Sequence, residues 1–183
     1  MFKKGNTYIL GVVASGLFSK GVQLASENEY FKLNETWSHV AVTFYHWAYG
    51  WVVIESIYPG GVRFLYLGTW VAENWNKNKV EAFEYKINTD ELFKNLGKQY
   101  SLIDIVRLAR TRFTFLKAKG QDDENKLYCA ELIANCDNDF ITNELQLKAW
   151  QIVPVDFQVW GFKNDKQIID VRSVLSFDVP CVA

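Results

Sequence analysis

The sequence predicts an α+β fold in which an antiparallel sheet packs against a few helices. Residues 37–45, 51–57 and 62–67 are short β-branched and aromatic runs, separated by the turn signals Ala48-Tyr49-Gly50 and Pro59-Gly60-Gly61, and read as an antiparallel meander. Helical spacing with capping residues and glycine stops then dominates residues 89–134. Residues 155–160 and 167–171 return to strand-like composition. Strands grouped before helices, rather than alternating with them, argue for α+β and against a parallel α/β sheet.

Taken in order, residues 6–14 are apolar and β-branched and make a first strand. Residues 15–26 read as a loop or short helix, and 27–35 as a polar surface connection carrying Tyr30 and Phe31. In the meander, pairing Tyr45 with Trp51 across the first turn sets Ala41 opposite Glu55 and His39 opposite Ile57. His39 and Glu55 then share a face as diagonal neighbours, about 7–8 Å apart at Cα, within reach of an imidazole–carboxylate hydrogen bond. A slip of one residue would send them to opposite faces.

Residues 68–79 hold Trp70 and Trp75 among polar residues and read as a long loop, with 80–87 as a further strand. Thr89-Asp90-Glu91 open a short helix that Gly97 closes. Ser101 and Asp104 make a capping-box-like start for a helix running to Lys119, with Ile105, Leu108, Ala109 and Leu116 as its apolar stripe and Arg107, Arg110 and Arg112 solvated. Lys126-Leu127-Tyr128-Cys129-Ala130-Glu131-Leu132-Ile133-Ala134 reads as the next helix. Residues 137–150 contain a helical piece, and 155–160 and 167–171 are the last strands.

At 183 residues the chain is long enough for one cored domain and short for two, so residues 1–183 are read as a single domain. With 20 basic against 21 acidic residues the net charge is -1, which argues against nucleic acid or an anionic membrane as an electrostatic partner. No stretch reaches the ~20 apolar residues of an integral membrane segment. Lys3-Lys4 and the apolar residues 9–18 have the outline of a secretory signal. That run is short, broken by Gly11 and Gly16, and followed by Lys20 without a small-x-small cleavage site, so no signal peptide and a cytoplasmic location are expected. Three cysteines without a CxxC, and two histidines in the whole chain, argue against a disulfide framework and a zinc site; no cofactor or metal is expected.

The residues that carry chemistry are Cys129, His39 and Glu55. A cysteine hydrolase needs a thiolate near a helix N-terminus, a histidine to take and return a proton, and a polar third group to hold the ring. Cys129 follows a polar run into a helix, where unpaired backbone N–H groups favour negative charge and can receive an oxyanion. Taken alone, each of the three has a plainer explanation, as core packing or a strand residue. His46, of opposite parity to His39 and beside a turn, reads as a surface residue; Cys136, two helical turns beyond Cys129, reads as apolar filler, and Cys181 is given no role.

Five segments resemble a known family: Ser38-His39-Val40-Ala41-Val42, Ile54-Glu55-Ser56 with Gly61-Val62, Gly97-Lys98-Gln99-Tyr100, Tyr128-Cys129-Ala130-Glu131-Leu132-Ile133, and Pro154 downstream. They are similar to the circularly permuted papain-fold hydrolases of the NlpC type, in the YiiX-like branch, distantly akin to lecithin:retinol acyltransferase. Histidine before cysteine is the permuted order. The chain departs from the pattern at Ala130, where serine is usual, and at Gly5-Asn6, where Gly-Asp is common. The resemblance implies a papain-like fold with Cys129 as nucleophile, His39 as base and Glu55 as third member. The expected activity is cleavage of an amide bond in a peptide, a cell-wall-type peptide or an N-acyl conjugate through an acyl-cysteine intermediate. Acyl transfer or thioester cleavage by the same residues is a variant. A non-catalytic binding protein, with Trp37, Trp47, Trp51, Trp70 and Trp75 as contact surface, is the other class.

Overall fold

Six strands form one antiparallel sheet in the computed structural model, which describes residues 2–16, 19–20, 22–23, 30–32, 35–102, 125–138 and 140–175. The strands are β1 (Thr7–Val13), β2 (His39–His46), β3 (Gly50–Ile57), β4 (Gly61–Tyr66), β5 (Lys79–Glu84) and β6 (Ile169–Asp170), in the spatial order β4-β3-β2-β1-β5-β6. The α-helices are α1 (Leu67–Asn74), α2 (Thr89–Lys94), α3 (Cys129–Cys136), α4 (Phe140–Leu145), α5 (Pro154–Lys163) and α6 (Val171–Leu175). This is the α+β class the sequence predicts.

The meander has the expected register. Tyr45 pairs with Trp51 and Val42 with Ile54, and continuing that register sets Ala41 opposite Glu55 and His39 opposite Ile57. The apolar residues 9–13 lie in β1, which pairs with β2 on one side and β5 on the other. Alternation then sorts the side chains onto two faces. Ile9, Val40, Val42, Val52, Ile54 and Phe83 pack against Leu132 and Ile133 of α3 and Phe157 and Trp160 of α5. Leu10, Val12, Ala41 and Val53 pack against Leu67, Trp70 and Val71 of α1 and Val171 of α6.

Three expectations are corrected. Residues 67–74 form α1 rather than a loop, because Leu67, Trp70 and Val71 fall at i, i+3 and i+4 and bury one stripe on the sheet. Residues 155–160 lie in α5 rather than a strand: Pro154 supplies the preset first-turn φ, and the Asp156 carboxylate accepts the Val153 backbone N–H at 2.8 Å. Of residues 167–171 only Ile169–Asp170 pair as strand, and Val171 already begins α6. Boundaries also move: the third meander strand ends at Tyr66, the strand expected at 80–87 ends at Glu84, the helix expected from Lys126 begins at Cys129, and Asn88, not Thr89, caps α2 through the Asp90 and Glu91 N–H groups. The helix expected from Ser101 to Lys119 lies almost wholly outside the described residues, as does Cys181.

The approach to β2 is fixed by contacts distant in sequence. Trp37 stacks on Phe83 with centroids 5.7 Å apart, and its Nε1 donates to Glu81 Oε2 at 2.9 Å. Gln158 of α5 brackets the same segment, accepting the Trp37 backbone N–H at 2.9 Å and donating to the Glu35 carbonyl at 2.9 Å. The indole lies across β1 at Gly11, where a Cβ would sit 2.0 Å from the ring. Only glycine leaves room. Gly11→Ala should therefore lower the unfolding free energy by about 1–3 kcal/mol in urea titration, the usual cost of overpacking a filled core. An unchanged midpoint would contradict this packing.

Candidate active site

The site forms where β2 and α3 both begin. His39 is the first residue of β2 and Cys129 the first of α3. By alternation His39 and Glu55 belong to the face that α1 covers, whereas α3 lies on the opposite face. They meet at the strand end, where the His39 ring faces Cys129 closely enough for the two to be electrostatically coupled. On its other side, His39 Nε2 lies 2.7 Å from Glu55 Oε2. Nδ1 is thus the ring nitrogen left for the sulfur. The structure brings all three sequence-predicted residues together at one place.

The start of α3 is held from several directions. Glu131, buried at the third helical position, accepts the Tyr128 backbone N–H at 3.4 Å. The buried Tyr128 hydroxyl is shared between the Trp150 carbonyl, at 2.9 Å, and that of Ile152. Ser56 Oγ, next to Glu55 on β3, donates to the Leu127 carbonyl at 2.5 Å. The Leu127 N–H donates to the Gln99 carbonyl at 2.9 Å, and the Val62 N–H to that of Lys98 at 2.8 Å. Gly61 permits this last approach: its φ is +71° and a Cβ there would stand 2.2 Å from the Lys98 oxygen. The position of Cys129 is thereby tied to the strands that carry the other two residues.

Two further residues complete the polar site: the sequence reading gave Arg63 no role, and it took Trp70 as possible contact surface, whereas the indole is fully buried. Arg63 of β4 pairs across from Glu55 and donates to its Oε1 through Nε at 2.9 Å and Nη2 at 2.6 Å. Trp70 of α1 donates its indole N–H to Glu55 Oε2 at 2.7 Å. Strand register carried a signal for Arg63, since the Pro59-Gly60-Gly61 turn pairs Ile57 with Gly61 and hence Glu55 with Arg63. Trp70 had no local signal.

Glu55 is 2% exposed. Burial pushes its carboxyl up, but the hydrogen bond and charge of His39, then Trp70 and Arg63, outweigh that and hold it at about 2. Burial likewise pulls the His39 imidazolium down. The charge and hydrogen bond of Cys129, followed by those of Glu55, overcome it and raise His39 to about 10. Cys136 is different: burial pushes its thiol up to about 12. His46 is half-buried at the far end of β2, stacked on Tyr49 with its Nδ1 accepting the Ala48 N–H, as its parity and turn position suggest.

Beside the dyad lies a cleft of about 550 Å³, lined by His39, Glu55 and Arg63 together with Ile57, Tyr58 and Tyr100. Ser38, Glu73 and Lys77 also border it. Among the described residues no group of three or more His, Cys, Asp or Glu side chains is arranged to hold a metal ion, and no helix is long and apolar enough to cross a membrane.

No protein-family model and no curated protein sequence matches the chain. Among solved structures it is similar to the metalloprotein yiiX from Escherichia coli O157:H7, with a TM-score of 0.40 and 18% sequence identity over 80% of this chain and 69% of that one. That neighbour carries the name of the branch the sequence motifs resemble.

The two shifts have opposite consequences for stability. Glu55, lowered from 4.5 to about 2, contributes fully above pH 4.5 and loses that contribution as pH falls through 2. His39, raised from 6.5 to about 10, contributes fully below pH 6.5 and loses it as pH rises through 10. The stability difference between wild type and Glu55→Gln, measured by urea unfolding, should therefore shrink as pH is lowered from 4.5 to 2. A difference constant across that window would contradict the buried ionised carboxylate.

Proposed function

We propose that the protein is a cysteine hydrolase that cleaves an amide bond through an acyl-cysteine intermediate, on a permuted papain-like fold of the NlpC type. The observation that carries this reading is the position of His39, coupled to the neighbouring Cys129 on one side and 2.7 Å from a buried, ionised Glu55 on the other. A histidine beside the sulfur, at a helix start, is the environment of a nucleophilic cysteine.

The Cys129 sulfur attacks the substrate carbonyl carbon, and the carbonyl oxygen takes up the negative charge. The backbone N–H groups of Cys129 and Ala130, in the first turn of α3 and without intrahelical acceptors, face that charge. As the C–N bond breaks, His39 gives its proton to the departing amine nitrogen and a thioester to Cys129 remains. Water then attacks the thioester carbon, His39 takes its proton, and the acid leaves with the thiolate restored. Glu55 holds the ring throughout and stabilises its charged form. The cleft beside His39 receives the peptide or acyl conjugate. With an acceptor other than water the same residues carry out acyl transfer.

Alkylation by iodoacetamide, resolved by cysteine, tests the reading without a known substrate. At pH 6 Cys129 should label at least about tenfold faster than Cys136, and His39→Ala should remove that advantage. Equally slow labelling of both cysteines, indifferent to His39, would contradict a catalytic role.

A further inference from the structure

We propose that helix α1 is the positioning element of this site, with Trp70 and Glu73 as positioning residues that fix Glu55, one directly and one through Arg63. The inference rests on the reading of Cys129 and His39 as a reactive pair and adds a role for the helix that meets Glu55.

Trp70 and Glu73 are three residues apart and so lie on the same side of α1. The Trp70 indole, fully buried, must find an acceptor for its one N–H. The acceptor it takes is Glu55 Oε2, the same oxygen that meets His39, with both contacts at 2.7 Å. Glu55 Oε1 is gripped by Arg63 through two nitrogens, and Arg63 Nη2 is in turn held at 2.6 Å by Glu73 Oε2. Both carboxylate oxygens are thus pinned, one by α1 itself and the other by a β4 side chain that α1 anchors. Any rotation of Glu55 that withdraws Oε2 from His39 also breaks the indole contact.

A role in packing alone would need only the ring of Trp70, and a role in the surface ion pair alone would need only Arg63 and Glu73. Their convergence on one buried carboxylate is what neither explains. Among the described residues, the charged and titratable groups that face the dyad are Cys129 from α3, Arg63 from β4, Glu73 from α1, and Tyr100 and Lys77 along the cleft. Of these, Arg63 alone bonds Glu55, so removing the indole donor leaves the His39-bound oxygen without its second partner.

The test compares the Cys129 alkylation rate at pH 5 with that at pH 9 in wild type, Trp70→Phe and His39→Ala, with thermal midpoints measured alongside. The ratio cancels changes in access to the sulfur, because those alter both rates together. Trp70→Phe should lower the pH 5 to pH 9 ratio by about threefold or more, since Glu55 Oε2 loses the donor that fixes it against His39 while an aromatic ring is kept in the core. A lower thermal midpoint with an unchanged ratio would reduce Trp70 to a core residue and overturn the proposal. An unchanged ratio in His39→Ala as well would overturn the reactive pair itself, which separates the two failures. Should Trp70→Phe not fold, Glu73→Ala at the half-exposed end of the chain decides, with a fall of about twofold expected in the same ratio and none overturning the proposal.

Discussion

A carboxylate buried to 2% exposure is the constraint on which the rest of the site depends. An ion in that position is costly unless every lone pair finds a donor and a positive charge stands close. Glu55 meets both conditions through His39, Trp70 and Arg63, drawn from β2, α1 and β4. Removing any one would leave a charge under-compensated in the interior, so the three elements are bound to a single geometry by the same atom pair that orients the histidine. Stability and chemistry therefore draw on one interaction.

The backbone delivers this arrangement by register at one end and by loop contacts at the other. The β2–β3 turn sets His39 and Glu55 as diagonal neighbours, and the β3–β4 turn sets Arg63 opposite Glu55. Gly61 allows the β4 edge to close onto Lys98, whose neighbour Gln99 bonds the segment leading to Cys129. Trp37 over Gly11 and Gln158 of α5 fix the entry to β2 from the other side. Cys129 and His39 consequently come from opposite layers and meet only at the strand end.

Much of this was legible in the sequence because it depends on local rules. Turn residues at 48–50 and 59–61 gave the meander, and side-chain parity put His39 with Glu55 before any distance was known. The position of Cys129 at a helix start followed from the polar run before it. What was missed depends on tertiary contacts. Helix α1 has no side-chain cap at Tyr66 and only Leu67, Trp70 and Val71 to mark it, so its helical spacing was lost among polar residues. In α5 the β-branched and aromatic residues imitate a strand, and only Pro154 and Asp156 carried the helix signal. Trp70 reaches Glu55 because α1 packs on the sheet, a contact no local pattern encodes.

The most direct test of the account is an NMR titration of the His39 ring in wild type and in Cys129→Ala. The account predicts an imidazolium that persists through pH 8 in the wild type, because the sulfur and Glu55 together hold its proton, and that titrates at lower pH once the sulfur is gone. A His39 that titrates near 6.5 in both proteins would contradict it.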